Sequence, residues 1–322
     1  MRKYILKRLG LALLSYFIIQ TLIFVLFKLL PNPVEEVPGG YAQALKAMRE
    51  AWGYNKPVLV QYGIFLKNVV TKWDWGFCTT VGTFLAPVTS YLASKLPVTI
   101  YINVFSIILS IPLGVMFGII AAVNKNKAPD HIIQFFIMFF ISVPSFVYCF
   151  LLQYFVGFKL NWLPLIFKGG SDYFSWSTFK SAIMPILAMS FGSIAGYMRY
   201  VRAELCESLT SDYMLLARTK GLTKRQATVR HALRNAMVPL MPSIVYEVAY
   251  VFSGSIIIEQ IFAIPGLGQT SLLAYNLKDY SVFIAIEMFY VALGLVIGIL
   301  ADLSYGFIDP RIRMGGNKNN EL

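Results

Sequence analysis

The sequence predicts an all-α integral membrane protein with six transmembrane helices. Of its 322 residues, 57% are hydrophobic and only 14% are charged, whereas an average soluble domain holds about 45–50% apolar and about 25% charged residues. The apolar residues are gathered in long blocks, and about 20 mostly apolar residues let a helix cross a bilayer. This composition argues against a disordered chain, a nucleic-acid-binding domain and a typical soluble enzyme.

Six blocks are long and apolar enough to span a membrane. The predicted spans are 9–30, 98–123, 132–158, about 181–197, 237 to about 262, and 282–307. Several contain proline, which membrane helices tolerate because neighbouring helices satisfy the freed backbone groups. The first block is longer than the 7–15 apolar residues that are typical of a secretory signal. We therefore expect it to remain as the first span.

The basic residues predict that both termini are cytoplasmic. With this orientation, the inner segments hold most of the 28 Lys and Arg residues, and a long outer segment holds many of the others. Cytoplasmic segments of membrane proteins are enriched in Lys and Arg, and long loops contribute little to this bias. The net charge of +12 is therefore interpreted mainly as a topology signal in a multi-pass protein of the cell membrane.

The spans divide the chain into four predicted parts. These are a first transmembrane helix at 1–30, an extracellular segment at 31–97, a transmembrane core of five helices at 98–308, and a cytoplasmic tail at 309–322. Within the extracellular segment, Leu45, Met48 and Trp52 recur at helical spacing, and Trp73, Trp75 and Phe77 are of a type that often lies at the membrane surface. The segment is either a cap over the outer mouth or a docking surface, and the two interpretations are compatible.

A capped helical hairpin is predicted at 208–237, between the fourth and fifth spans. Residues 212–220 form a helix pattern with Asp212 at its start and basic residues at its end, which suits the helix dipole. Gly221 stands where a C′ glycine is expected. Thr223 and Gln226 form a capping-box pattern, which predicts a second helix that continues straight into the fifth span. A basic loop that only enforces topology is the simpler alternative, but it has no need of these caps.

The residues of this hairpin resemble the cytoplasmic "EAA" loop of ABC importer permeases. The resemblance rests on 217–222, 230–236 and Pro239. Further stretches agree in order with the first permease subunit of dipeptide and oligopeptide importers: 4–9, 95–99, 111–114, 142–146, 259–262, 265–268 and 309–313. The motif's first acidic position and first alanine are replaced by Leu215 and Leu216, and its later part by residues 230–235. Both departures are usual in the peptide branch.

The resemblance implies an ABC type I importer permease fold that forms half of a pathway for peptides. The implied partners are a second homologous permease subunit, two cytoplasmic ATPase subunits, an extracellular or periplasmic binding protein and membrane lipid, but no nucleic acid. The sequence lacks a GxxxxGK[ST] phosphate loop. We therefore expect a transport subunit that is not an enzyme and binds no cofactor, with ATP and Mg²⁺ held by the partner subunits.

The resemblance also implies that the hairpin's first helix sits in a cleft of an ATPase subunit and transmits its motion. Side chains early in the hairpin would supply apolar contact, later basic ones would supply polar contact or orient the second helix, and Gly221 would permit the reversal. The implied coupling residues are Tyr213, Leu215, Leu216, Ala217, Lys220, Gly221, Leu222, Thr223, Arg230 and His231.

Three carboxylates in the last two spans are candidates for the translocation pathway: Glu247, Glu259 and Glu287. Ionisable groups inside a membrane are expensive and usually face a cavity or a partner. They are interpreted either as a polar pathway for the amino terminus of a peptide or as helix-to-helix hydrogen bonds and contacts with a second permease subunit. Asp302 and Asp309 are expected to form a salt-bridge cluster with Arg311 and Arg313. With 3 Cys and 2 His, the sequence predicts no metal site.

Other functions remain as alternatives. The same architecture could import nickel complexes or another small solute. A stand-alone secondary transporter or channel should show internal inverted repeats, and the sequence shows no clear repeat between its halves. A membrane-embedded enzyme needs a clustered nucleophile, base or metal set, and none is visible.

Overall fold

The computed structural model describes residues 2–30, 41–169 and 172–308, which are helical apart from turns, connecting segments and an isolated antiparallel bridge between Phe77 and Pro87. Gln153–Lys159 and Thr228–Ala232 are π-helical, and Tyr250–Phe252 is a 3₁₀ turn. In chain order the α-helices are α1 (Arg2–Lys28), α2 (Tyr41–Ala51), α3 (Val58–Lys72), α4 (Val88–Val123), α5 (Ala128–Ser142), α6 (Ser145–Leu152), α7 (Trp176–Leu209), α8 (Asp212–Thr219), α9 (Lys224–Ala227), α10 (Leu233–Met237), α11 (Met241–Ala249), α12 (Ile256–Ile261), α13 (Leu267–Asn276) and α14 (Tyr280–Ile308).

Within the described residues, four helices are long and apolar enough to cross a membrane: α1, α4, α7 and α14. Two bent pairs also qualify, namely α5 with α6 and its π-helical extension, and the helix from Lys224 to Met237 with α11 and its 3₁₀ turn. The protein is therefore all-helical, with four candidate spans, or six if each bent pair is one span. This agrees with the predicted helical membrane class.

The third predicted span, 132–158, is not one straight helix. Its two halves meet at an angle of 106°, where Val143 is extended with ψ of 125° and Pro144 caps α6. Proline lacks a backbone N–H and disfavours the α conformation of the preceding residue. Apolar content predicted the span, but this single proline determines where it turns.

The fifth predicted span, 237–262, is also divided. The chain bends by 53° between Met237 and Met241, and Pro242 lies in the first turn of α11. The prediction that the second hairpin helix continues straight into the fifth span is therefore wrong. The helical pair ends at Phe252, and Glu259 lies on the separate short helix α12.

The second span begins earlier than its apolar block. α4 starts at Val88 and includes Lys95 and Pro97, so the end of the predicted loop at 31–97 is helical. Hydropathy marks only the apolar part of a helix, and a helix continues past it wherever its polar side chains are accommodated. Lys95 Nζ lies 5.2 Å from the centre of the Tyr91 ring. The predicted tail at 309–322, with Asp309, Arg311 and Arg313, lies outside the described residues.

The chain forms two compact units, of which the first comprises 1–99, 252–260 and 265–296. Its core joins α2 and α3 to α1 and α14 through large apolar side chains. The helix predicted around Leu45 and Trp52 is confirmed by α2. Leu45 lies on its buried face, and Trp52 is buried directly after its last residue. Phe77 was expected at the membrane surface but is 2% exposed. It packs in the core with Phe24, Trp52, Phe65, Ile284 and Met288.

The second unit comprises 100–251, 261–264 and 297–322. Here α4 and α7 approach closely because α4 carries glycines. A Cβ added at Gly114 would lie 2.4 Å from Cβ of Tyr197, and one at Gly118 would lie 2.7 Å from Cβ of Val201. Small residues four apart allow two membrane helices to pack with their backbones near each other. This packing fixes the end of α7 that leads into the hairpin.

Candidate functional site

The predicted hairpin follows α7 and consists of two capped helices. α8 runs from Asp212 to Thr219, and α9 begins at Lys224. Thr223 and Gln226 form the predicted capping box: the backbone N–H of Gln226 donates to Thr223 Oγ1 at 3.3 Å, and the backbone N–H of Thr223 donates to Gln226 Oε1 at 3.0 Å. Reciprocal bonds of this kind satisfy two otherwise free donors at a helix start.

Gly221 forms the turn between the two helices, with φ of +88°. Its N–H donates to the carbonyl of Arg218 at 3.0 Å, and the N–H of Leu222 donates to the carbonyl of Ala217 at 3.3 Å. This pair of bonds is the Schellman motif. No heavy atom lies within 4 Å of a Cβ added at Gly221. Glycine is therefore required by the backbone conformation and not by lack of space.

α8 has a buried apolar face, and its exposed side carries large apolar side chains together with Asp212, Arg218 and Thr219. Met214 and Ala217 are 4% and 5% exposed, and they pack against Ala122, Leu205, Ala227, Ala232 and Ala236. By contrast, Tyr213, Leu215 and Leu216 are 37%, 66% and 55% exposed. Ala217, which was predicted to supply apolar contact to a partner, packs here against the rest of its own unit.

The other predicted coupling residues divide in the same way. Leu222 is half-buried against the alanine-rich cluster beneath α8. The exposed members are Lys220, Gly221, Thr223, Arg230 and His231. The structure therefore brings the predicted residues together on one hairpin and gives most of them an exposed position.

Tyr213 is fixed at the base of the hairpin. Burial acts to raise the pKa of its hydroxyl, but hydrogen bonds with Ser208, Ser211 and Asn235 oppose this, and the resulting pKa lies below the usual value. These partners stand at the end of α7, at the start of α8 and on α10. The hydroxyl of Tyr213 thus lies close to polar side chains at the base of the hairpin, while the residue is 37% exposed.

Glu259 is enclosed by residues of its own unit. It is 4% exposed, and its Oε2 accepts a hydrogen bond from the backbone N–H of Gln269 at 2.8 Å, while Thr99 Oγ1 donates to its Oε1 at 3.2 Å. Gln269 lies in the first turn of α13, where a negative charge is favoured by unpaired N–H groups and the helix dipole. This burial favours the alternative of hydrogen bonding between helices over the pathway interpretation.

Glu247 and Glu287 are only partly buried. Ser110 Oγ donates to Glu247 Oε1 at 3.4 Å, and Ser271 Oγ donates to Glu287 Oε1 at 3.3 Å. Neither carboxylate is enclosed in the manner of Glu259. Both remain candidates for contact with a solute or another subunit.

Sequence reasoning assigned no structural role to two aspartates that are buried and hold distant segments together. Asp279 Oδ2 accepts hydrogen bonds from the backbone N–H groups of Thr79, Thr80 and Val81, at 2.7, 2.9 and 3.1 Å. Asp130 forms a bidentate pair with Arg202, with distances of 2.6 and 2.8 Å. Asp279 precedes the last span and Asp130 follows Pro129, so both occupy helix-start positions. That local pattern could have identified the caps but not their distant partners.

Over the described ranges, no group of three or more His, Cys, Asp or Glu side chains is arranged to hold a metal ion. Cys78 and Cys149 are buried. What the hairpin offers is a set of exposed apolar side chains on α8 together with exposed basic groups, which suits contact with another protein.

Two family models together cover most of the chain. Residues 114–314 match the family described as the binding-protein-dependent transport system inner membrane component. Residues 1–110 match the N-terminal part of binding-protein-dependent transport system membrane components. The hairpin and both bent pairs lie within the first match.

Curated relatives match over nearly their whole length. A dipeptide transport system permease protein of Lactococcus lactis subsp. cremoris is 37% identical over 98% of this chain and 100% of its own. A protein of the same description from Bacillus subtilis is 31% identical over 98% and 99%. A glutathione transport system permease protein of Escherichia coli is 30% identical over 97% and 99%.

Proposed function

This chain belongs to the family of binding-protein-dependent transport system inner membrane components, and we propose that it imports peptides as the first permease subunit of its transporter. It is a permease subunit of an ABC importer in the inner membrane, which is a transport role and not a catalytic one. Support for a peptide substrate comes from full-length relatives described as dipeptide permeases at 37% and 31% identity. Transport of nickel complexes has no comparable support.

The hairpin is the element through which we propose that ATP hydrolysis drives the permease. The observation that carries this proposal is the exposed apolar face of α8, formed by Tyr213, Leu215 and Leu216 at 37%, 66% and 55% exposure. An exposed apolar face on a stiff, capped helix suits a cleft on a cytoplasmic ATPase subunit. Lys220, Arg230 and His231 are exposed on the same hairpin and supply polar contact.

The complete transporter contains further chains. An ATPase and a binding protein are expected of any member of this family. We further propose a second homologous permease, two ATPase subunits that hold ATP and Mg²⁺, and both termini of this chain in the cytoplasm. Glu247 and Glu287 then contact the solute or the second permease. The first candidate span is only 11% buried by the rest of the chain, which leaves its apolar side chains for lipid or a partner.

The test is substitution on the exposed face of α8. We expect Leu216→Glu to lower co-purification of the ATPase subunits and peptide uptake by about tenfold or more, because it places a charge in an apolar contact. Val70→Glu is the matched control, since Val70 is also exposed (81%) but lies on α3. The proposal fails if Leu216→Glu retains the ATPase subunits as well as the control does.

A further inference from the structure

A cavity of about 580 Å³ lies beside the hairpin, where the inward-predicted ends of α4 and α7 meet α8 and α9. Its basic lining residues are Lys125, Lys127, Arg218 and Lys224, and its one acidic lining residue is Asp212. Among the described residues none of these four cations forms an ion pair. The cavity therefore carries an excess of positive charge that the described part of the chain does not neutralise.

The two lysines stand on a turn that is held in place. Asn126 has φ of +63°, and its backbone N–H donates to Asp130 Oδ2 at 2.9 Å. The same carboxylate is 0% exposed and pairs with Arg202 on α7. The N–H of Lys127 closes the turn by donating to the carbonyl of Asn124 at 2.9 Å. A buried ion pair thus presents Lys125 and Lys127 to the cavity.

The rest of the lining mixes the hydroxyl side chains of Thr210, Ser211 and Thr228 with apolar side chains, among them Val123 and Leu209. Val123 and Leu209 are the last residues of α4 and α7, both candidate membrane spans. A cavity at the ends of two spans opens at the boundary between hydrocarbon and water. Basic pockets between transmembrane helices at that depth bind the head groups of anionic lipids.

We propose that this cavity binds the phosphodiester head group of an anionic phospholipid such as phosphatidylglycerol. Lys125, Lys127, Arg218 and Lys224 pair with the phosphate, and Val123 and Leu209 contact the first methylenes of the acyl chains. The mixed lining favours a lipid over an acidic protein surface, which would leave the apolar part without a partner. The inference needs only that α4 and α7 span the membrane, on whichever side their ends lie.

The experiment is native mass spectrometry of the full chain in detergent, titrated separately with dioleoylphosphatidylglycerol and dioleoylphosphatidylcholine. The wild-type chain is expected to retain phosphatidylglycerol preferentially. Each basic group near an anionic lipid contributes about a fivefold change, so K125Q/K127Q should weaken this retention by roughly 25-fold. K125R/K127R should retain the preference. K67Q/K72Q, which removes two exposed charges from α3 outside the cavity, should also leave it unchanged.

Three results would overturn the proposal. The first is an equal preference for phosphatidylglycerol in K125Q/K127Q and wild type. The second is displacement of the lipid by soluble glycerol 3-phosphate at similar concentration, which would assign the cavity to a free phosphate. The third is loss of ATPase co-purification in K125Q/K127Q with lipid retention unchanged, which would assign the cavity to a protein partner. Failure of Leu216→Glu to release the ATPase would leave this inference standing.

Discussion

Glu259 is a buried carboxyl side chain that joins separate segments within its own unit. Besides the N–H of Gln269, it meets Thr99, whose Oγ1 also accepts the N–H of Leu267 at 3.0 Å. The fit around it is close, since a Cβ added at Gly266 would lie 2.5 Å from Thr99 Oγ1 and 2.6 Å from the Glu259 carboxylate. The chain is thus closed around one carboxylate that caps α13.

We therefore expect Glu259→Gln to lower the stability of the chain without a selective effect on transport. The glutamine amide keeps one acceptor oxygen, but its NH₂ group then faces the hydroxyl of Thr99 or the N–H of Gln269, which both donate to Glu259. A buried polar group without a partner costs about 1–3 kcal/mol. Thermal unfolding of the purified chain should show a lower midpoint, and uptake should fall only in proportion to the amount of folded protein. Glu50→Gln, at an exposed position on α2, is the control. Unchanged stability with lost uptake would return Glu259 to the pathway.

At the scale of elements, the hairpin is two helices whose relative direction depends on Gly221. Its φ of +88° lies in the left-handed region, where a residue with a Cβ costs about 1–2 kcal/mol. Because no atom would touch that Cβ within 4 Å, the cost comes from the backbone alone. The turn can therefore be perturbed without disturbing the core beneath α8.

Gly221→Val is expected to leave the chain in the membrane but abolish coupling of transport to ATP. Gly221→Asn is the matched variant, because asparagine tolerates the left-handed conformation and should keep most of the coupling. The measurement is peptide-stimulated ATP hydrolysis by the reconstituted transporter, with membrane insertion checked in parallel. Equal activity of the valine and asparagine variants would show that the conformation of this turn does not control coupling.

The elements also differ in how they are bent. α5 and α6 meet at 106° at a proline, whereas α4 and α7 remain continuous over 36 and 34 residues although α7 contains Pro185. A proline can stay inside a membrane helix where neighbouring groups satisfy the backbone carbonyl that it leaves free, and it otherwise favours a break. The same residue type therefore gives opposite results in two spans.

At the scale of the whole molecule, orientation in the membrane determines which partners each surface can meet. The basic residues predict that the hairpin lies inside and that α3 lies outside. Thr219 on α8 and Val70 on α3 are both exposed and report on the two sides. Cys78 and Cys149 are buried, so few native thiols compete with an introduced one.

We expect a membrane-impermeant maleimide to label Val70→Cys in intact cells, and to label Thr219→Cys only after permeabilisation. Both variants are made in a Cys206→Ser background, because Cys206 is partly exposed. Buried Cys78 is also a poor nucleophile, since burial raises the pKa of its thiol to about 12. The reverse labelling pattern would invert the proposed topology, and the hairpin could then not meet a cytoplasmic ATPase.

The sequence by itself determined the helical membrane class, the approximate spans and the capped hairpin. These features are local: apolar blocks have the length of a bilayer crossing, and Thr223, Gln226 and Gly221 act on backbone groups only a few residues away. Such signals survive in a linear pattern because the interacting groups are close in the chain. The family resemblance rested on the same local motifs.

Only the tertiary structure decided which side of each helix is buried and how distant segments join. Ala217 faces the core while Leu216 is exposed, although both are apolar neighbours on α8. Glu259 closes on Thr99, and Asp279 holds the backbone of residues 79–81, across 160 and about 200 residues of sequence. A carboxylate looks the same in sequence whether it faces a pathway or caps a helix, because the difference lies in donors that only folding brings to it.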